Sequence, residues 1–304
     1  MRPADVARLL LLAAIWGSSF LLIKVALEDL GPLQIVAGRL VLGAAFLMVV
    51  LKARNMSLPV GRDVWRALVL MAIVSNLIPF TLISWGEESI TSSLAAILNA
   101  TTPLFTAAIA SLVLEGERLT PLRAGGIALG FVGVAVIVGV DVGGSEVLGE
   151  LAVVGASLSY GLGFVYARRR LVGRADGPIA LSAGQLLIAA AIATPLAAVG
   201  GGDLHLSPLA TLCVAALGIA GTGLGYILYY SLVTNVGATS ASFVTYLLPI
   251  FGVLLGATLL DESLGLNTVI GAALVIAGIA VAENAARRPA PASEEPVCPP
   301  GATR

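Results

Sequence analysis

Residues 93–136 read SLAAILNATTPLFTAAIASLVLEGERLTPLRAGGIALGFVGVAV, and residues 239–281 read TSASFVTYLLPIFGVLLGATLLDESLGLNTVIGAALVIAGIAV. The second stretch is a divergent copy of the first. Pro103 falls on Pro249 and Ala95 on Ala241 at an offset of 146. One residue is then lost. At an offset of 145, Glu117 falls on Glu262, Leu119 on Leu264, Gly126 on Gly271, Gly133 on Gly278 and Ala135 on Ala280. Between residues 116 and 136, 8 of 21 positions are identical, more than an Ala/Gly/Leu-rich composition gives by accident. The period is far longer than a solenoid unit. It is half the chain, so the molecule consists of two related halves.

The apolar texture of these copies extends outward through the chain. The 304 residues are 58% hydrophobic and 12% charged, with a mean hydropathy of +0.99. Ordinary soluble domains run at roughly 45–50% apolar and about 25% charged. This is more apolar surface than one soluble core hides, and the matching solvent is the bilayer. The net charge of -1 and the lack of a basic, aromatic-interleaved patch argue against nucleic acid. The two cysteines, Cys213 and Cys298, have no metal spacing, and no cofactor motif is present. The first apolar run follows Arg2 and Arg8. It has no clear cleavage site and many spans follow it, so it reads as an uncleaved first helix.

A membrane-spanning helix needs about 20 mostly apolar residues. The sequence predicts ten, near residues 7–26, 33–51, 66–86, 93–114, 122–140, 149–167, 178–199, 209–233, 238–260 and 267–284. The fold expected is therefore all-α and integral to the membrane. A first repeat covers 1–140, a second 149–285, and a Pro/Ala/Glu-rich tail, 286–304, reads as disordered.

Orientation follows from Lys and Arg. With the N-terminus inside, 15 of the 17 basic residues fall on inner segments, and the other two are Lys24 and Arg39. The outer loops carry Glu28, Asp29, Glu87, Glu88, Asp141, Glu146, Glu150, Asp203, Asp261 and Glu262. This predicts both termini in the cytoplasm. Because five is odd, the second five-helix copy must enter the membrane in the opposite sense. Glu117 beside Arg118 is then inside, and Glu262 beside Asp261 outside. Inverted repeats of this kind characterise secondary transporters, with the substrate site near the midplane where the halves meet. Weaker echoes run in the same order. Trp16–Gly17 falls on Tyr160–Gly161 at an offset of 144, and Gly38–Arg39 on Gly184–Gln185 at 146.

The Trp-Gly-Ser-Ser-Phe of helix 1, the Ala-Ala-Ile-Leu…Pro of helix 4, the Leu-Glu-Gly-Glu-Arg-Leu-Thr turn and the Gly-rich helix 5, echoed in the second half, resemble the EamA family of the drug/metabolite transporter superfamily. The resemblance covers about residues 7–284. It implies a ten-helix bundle around a central cavity, with helices 5 and 10 peripheral, in a bacterial inner membrane. It also implies export or exchange of small metabolites, often amino acids. The second turn is Asp-Glu-Ser-Leu-Gly, so Arg118 has no basic counterpart.

Candidate cavity residues are the polar and aromatic groups at depth. A charge well inside the membrane costs on the order of 2.5–3.5 kcal/mol on insertion scales. Lys24 either meets an anionic substrate group or snorkels to Glu28, one turn on. Arg39 either forks a substrate carboxylate or pairs with an acid of the outer loops. Asn76, Asn99, Thr102, Tyr226, Tyr230 and Tyr246 either line the cavity or tie neighbouring helices together. Trp16 needs an acceptor for its indole N–H, whether it lines the cavity or plugs the core. Pro103 and Pro249 are expected to kink helices 4 and 9 near the midplane, since proline removes a backbone donor. The glycines of helices 5 and 10 offer close helix contact, within the bundle or between copies. Glu115 and Glu117 beside Arg118 read as a solvated cluster rather than a proton relay. The expected partners are a small-molecule substrate and the lipid bilayer, in a monomer or homodimer.

An intramembrane enzyme is disfavoured. The single histidine, His205, lies in a loop, and there is no metal cluster or nucleophile–base set. A scaffold or receptor is disfavoured by the short loops. The expectation is a carrier of small organic metabolites working by alternating access, with broad drug efflux as the alternative.

Overall fold

The computed structural model describes residues 2–114, 119–138, 145–171, 173–174, 176–200, 202, 204–236 and 244–286. They form ten helices: α1 Pro3–Ala26, α2 Pro32–Ala53, α3 Arg62–Gly86, α4 Ser92–Val113, α5 Pro121–Val138, α6 Ser145–Arg170, α7 Pro178–Gly200, α8 Pro208–Ala216 continuing through Leu217–Leu224 and Gly225–Val236, α9 Val244–Leu259 and α10 Leu266–Ala286. No strand occurs among the described residues. Among the described residues nine helices are long and apolar enough to cross a membrane, and the described part of α9 has 16 residues. The expected start of α9, the Glu115–Glu117 cluster with Arg118, and the tail from 287 onward lie outside the described residues.

The helix starts are written locally. Proline occupies the first turn of α1, α2 and α8, where its missing N–H has no partner to lose. Thr91 caps α4 by accepting from the Leu94 N–H, and Ser207 caps α8 by accepting from the Ala210 N–H.

The helix pairing is two-fold. α1 packs on α9 as α6 packs on α4, and α2 packs on α8 as α7 packs on α3. α2 meets α7, α4 meets α9 and α5 meets α10, each helix touching its own repeat mate. The α5–α10 seam gives the sense of the repeat. Gly126 approaches Ala282, Gly130 approaches Gly278, and Gly133 approaches Val275 and Gly271. These mates run antiparallel, as inverted topology requires. The glycine faces are thus used inside the chain, joining the two halves.

The two prolines do not make matching kinks. α4 is broken outright into Ser92–Asn99 and Thr102–Val113, with Pro103 in the first turn of the second segment. Pro249 instead lies within the continuous α9. The break places Pro103 where proline is tolerated, and the carbonyls it frees are used. Ser157 of α6 donates to the carbonyls of Leu98 and Asn99, and Thr102 also donates to that of Asn99.

α3 and α8 each contain a π-helical stretch, Ile73–Leu77 and Leu217–Leu224. Such stretches widen the helix and release carbonyls from the regular ladder. At the offset of 146, Asn76 falls on Thr222 and Phe80 on Tyr226, so the two irregularities are repeat mates as well.

Candidate functional site

The released carbonyls and side chains of the π stretches draw polar groups to the middle of the bundle. Trp16 Nε1 donates to the Gly221 carbonyl at 2.9 Å, and Ser159 Oγ to that of Val74 at 2.7 Å. α1 and α6 are thereby fastened in equivalent ways to α8 and α3. Thr222 Oγ1 donates to the Leu217 carbonyl at 3.0 Å and accepts from Arg39 Nε at 2.8 Å. In the other half Gln185 Nε2 donates to Asn76 Oδ1, and Asn76 Nδ2 donates to the Tyr226 hydroxyl at 2.9 Å. Gln185 is the repeat mate of Arg39, and Asn76 that of Thr222. The contacts Arg39–Thr222 and Gln185–Asn76 are therefore one contact made twice. The α2/α7 position itself differs in charge between the halves: a permanent cation in one, Arg39, and a neutral amide in the other, Gln185.

Arg39 is 8% exposed. Its guanidinium carbon lies 3.9 Å from the centroid of the Phe80 ring, a cation–π distance. The expected alternative of a pair with Glu28 or Asp29 is replaced by this setting, because α2 turns Arg39 toward α3 and α8. Asp29 instead accepts from the Ser207 hydroxyl. Among the described residues the side-chain hydrogen bond of Arg39 is made through Nε to Thr222, which leaves the Nη edge of the fork for another acceptor. Tyr160 and Tyr226 lie within electrostatic reach of the cation. Tyr226, Tyr229 and Tyr230 stack edge to face, and Tyr229 packs against Trp16 at 5.7 Å.

Lys24 is not part of this centre. Its ammonium donates to the carbonyls of Glu87 at 2.5 Å and Ile90 at 2.8 Å, at the end of α3. The expected pair with Glu28 is replaced by these two carbonyls. Lys24 satisfies orphan carbonyls at a helix C-terminus, where a cation also suits the helix dipole. Replacing Lys24 with Met leaves both carbonyls buried without this donor. Hydrogen bonds to charged groups are worth about 1.5–3 kcal/mol. Lys24→Met is therefore expected to lower the melting temperature of the purified protein by several degrees. An unchanged transition would show that the contact is incidental.

Among the remaining candidates, Asn99 and Thr102 stand at the α4 break, and Asn99 Oδ1 is buried without a hydrogen-bond partner. Tyr246 is partly buried and packs against the largest apolar cluster of the bundle. Three residues that the sequence reading did not select belong to the polar centre or its approach: Gln185, Thr222 and Glu87. Gln185 and Thr222 carried a readable signal, since each occupies the repeat position of a selected residue. Glu87 carried none, being one of two adjacent acids. It is 0% exposed, whereas Glu88 is exposed.

At the acid-rich end of the bundle, Glu262 in the α9–α10 turn closes on the first turn of α4. Its carboxylate accepts from the Ser92 N–H at 2.8 Å, the Ser93 N–H at 2.9 Å and both serine hydroxyls. Partial burial pushes this carboxyl up, but the hydrogen bonds from Ser93 and Ser92 outweigh it and hold the group below its ordinary value. The helix N-terminus is a natural anion site, and here the anion comes from the other half of the chain.

A model of the EamA-like transporter family matches residues 6–139 and 147–283, one match per half. The chain belongs to the EamA-like transporter family. Among its relatives, the uncharacterized transporter YoaV of Bacillus subtilis (strain 168) is 23% identical over 274 residues, covering 87% of this chain and 91% of YoaV. The uncharacterized inner membrane transporter YedA of Escherichia coli (strain K12) is 28% identical over 260 residues, covering 82% and 81%. A protein of known crystal structure shares the fold, with a TM-score of 0.66 and 21% identity, covering 95% of this chain and all of that one. This EamA-like chain is thus a multi-pass membrane transporter. Among the described residues no cluster of His, Cys, Asp or Glu is grouped to hold a metal ion.

Proposed function

We propose that this transporter carries a small organic metabolite with an anionic group, an amino acid or related carboxylate, and exports it by alternating access. The observation that carries this reading is Arg39: a permanent cation buried among neutral hydrogen-bonding groups where the two halves meet. An unneutralised charge at that depth is costly, and a ligand carboxylate meeting the Nη edge offsets the cost while being held bidentately. The two halves are expected to rock against each other as units, residues 1–140 and 149–285, with Trp16, Asn76, Thr222, Gln185 and the tyrosines around the ligand. The positive-inside distribution supports an arginine-rich end in the cytoplasm and the acid-rich end outside, in the inner membrane.

The test is counterflow in proteoliposomes of the purified protein. Pooled labelled amino acids and other small carboxylates are expected to give saturable exchange, at least tenfold above protein-free vesicles. If bulky cationic dyes move and no carboxylate does, the carrier is a drug exporter and the reading falls. Such an outcome sits poorly with a buried arginine.

A further inference from the structure

Glu87 ends α3 at the acid-rich end, and the polypeptide around it is tightly determined. Lys24 holds the Glu87 and Ile90 carbonyls, and Glu262 holds the Ser92 and Ser93 amides. Yet the Glu87 side chain takes part in none of these bonds. It is 0% exposed, and both carboxyl oxygens are without a hydrogen-bond partner. An ionised carboxylate in that state is among the most costly arrangements a protein can hold, and such a group neutralises instead.

The groups around it agree. Lys24 of α1 is the cation that acts on it most and Arg39 of α2 a weaker one, while Glu262 of the α9–α10 turn acts in the opposite sense. α6 packs Gly149 against Gly86, and its acids Glu146 and Glu150 are not among the charges that act on Glu87. Glu28 and Glu88 are exposed, and Asp29 is bonded to Ser207. Burial, above all, pushes the Glu87 carboxyl well above its ordinary value, with Glu262 adding to the rise and Lys24 and Arg39 opposing it. Of the two neighbouring acids, Glu262 has taken the donors and Glu87 the proton.

This arrangement belongs to the closed acid-rich end, because Glu262 of one half is clamped on α4 of the other. When the clamp parts, water reaches Glu87, which ionises beside Lys24. We propose that Glu87 binds one proton each time the acid-rich end closes and returns it to water at the same end on opening. The proposal rests on the alternating-access reading above. The proton enters and leaves on one side. Protons there bias the closed form without being carried across.

The test does not require transport. Spin labels are placed at Trp85→Cys on α3 and Ser263→Cys in the α9–α10 turn, both exposed, in a Cys213→Ala, Cys298→Ala chain in nanodiscs. Distances are read by double electron–electron resonance from pH 5 to 9. A short-distance population is expected at acid pH. A longer one should replace it as pH rises, the ratio changing by up to about tenfold per pH unit, as one linked proton dictates. Adding Glu87→Gln, a neutral isostere, should hold the short population at every pH. Adding Glu262→Gln should shift the ratio toward the long population while keeping its pH dependence. Thermal unfolding gives a second readout. A carboxyl whose value is raised by folding contributes most below its ordinary value and loses that contribution as pH climbs. The parent should therefore melt lower at pH 8 than at pH 5, and Glu87→Gln should reduce that difference. Distances indifferent to pH, or a pH response untouched by Glu87→Gln, would overturn the proposal. If vesicles show no flux but the distances respond as described, the transport reading fails and the proton site stands.

Discussion

Arg39→Gln is expected to lower saturable carboxylate flux about a hundredfold while leaving the protein folded. Glutamine is chosen because the second half already carries it at the equivalent position: Gln185 sits on α7 as Arg39 sits on α2, each bonded to the π stretch of a partner helix. The fold therefore accommodates this side chain in this setting. The melting temperature should change by only a few degrees, since a lost cation–π contact is offset by removing a buried charge. What disappears is the Nη edge. Two charge-assisted hydrogen bonds to a ligand carboxylate, at a net value near 3 kcal/mol, correspond to roughly a hundredfold in affinity. Arg39→Lys should recover little. An ammonium lacks both the planar face that rests on Phe80 and the rigid fork that presents two Nη donors side by side to a carboxylate while Nε serves Thr222. The measurement is counterflow at several substrate concentrations, beside thermal unfolding of the same preparations. Full activity in Arg39→Gln would remove the anionic group from the substrate description.

Much of the architecture was legible because the bilayer imposes coarse rules. Helix lengths follow from hydrocarbon thickness, and the inverted pairing follows from an odd number of helices in a repeated half. The centre was partly legible. Arg39, Asn76, Trp16 and Tyr226 are polar or amphipathic groups at depth, which composition alone makes conspicuous. Their partners were less so: Gln185 and Thr222 were marked by repeat position alone, because π-helical stretches leave no clear mark in an apolar run. Without the stretch at Leu217–Leu224, nothing in Gly221 announces a bonding site. Lys24 and Glu87 show a different limit. Both lie near a span end, where one residue of displacement separates a solvated ion from a buried one. Their final state depends on helices distant in sequence: α3 supplies the carbonyls that Lys24 holds, and α1 the cation beside Glu87. The prolines were read as equal because they align, yet the chain breaks only at Pro103. There Ser157 and Thr102 absorb the carbonyls that a break releases.

Gly278→Val is expected to destabilise the protein by about 3 kcal/mol or more, the upper range for overpacking, and Gly125→Ala to leave it unchanged or slightly more stable. Both glycines lie on the same pair of helices, so composition treats them alike. Their surroundings do not. A Cβ on Gly278 would stand 2.5 Å from the Gly130 nitrogen, 2.6 Å from the Gly126 oxygen and 2.7 Å from the Gly130 Cα. All three are backbone atoms of α5, which no rotamer change moves aside. A Cβ on Gly125 meets nothing within 4 Å, and alanine there gains about 0.5–1 kcal/mol of helix propensity. Lipid supplies no hydrophobic force to hold α5 on α10, so their association depends on close van der Waals approach along small residues. The seam joins the first half to the second. Valine at 278 must therefore separate the repeats as well as two helices. Thermal unfolding of the two variants in one detergent decides the matter. If Gly278→Val melts with the parent, the seam is not held by backbone proximity and the two halves are joined elsewhere. If Gly125→Ala is lost as well, the face of α5 away from α10 is itself a contact surface.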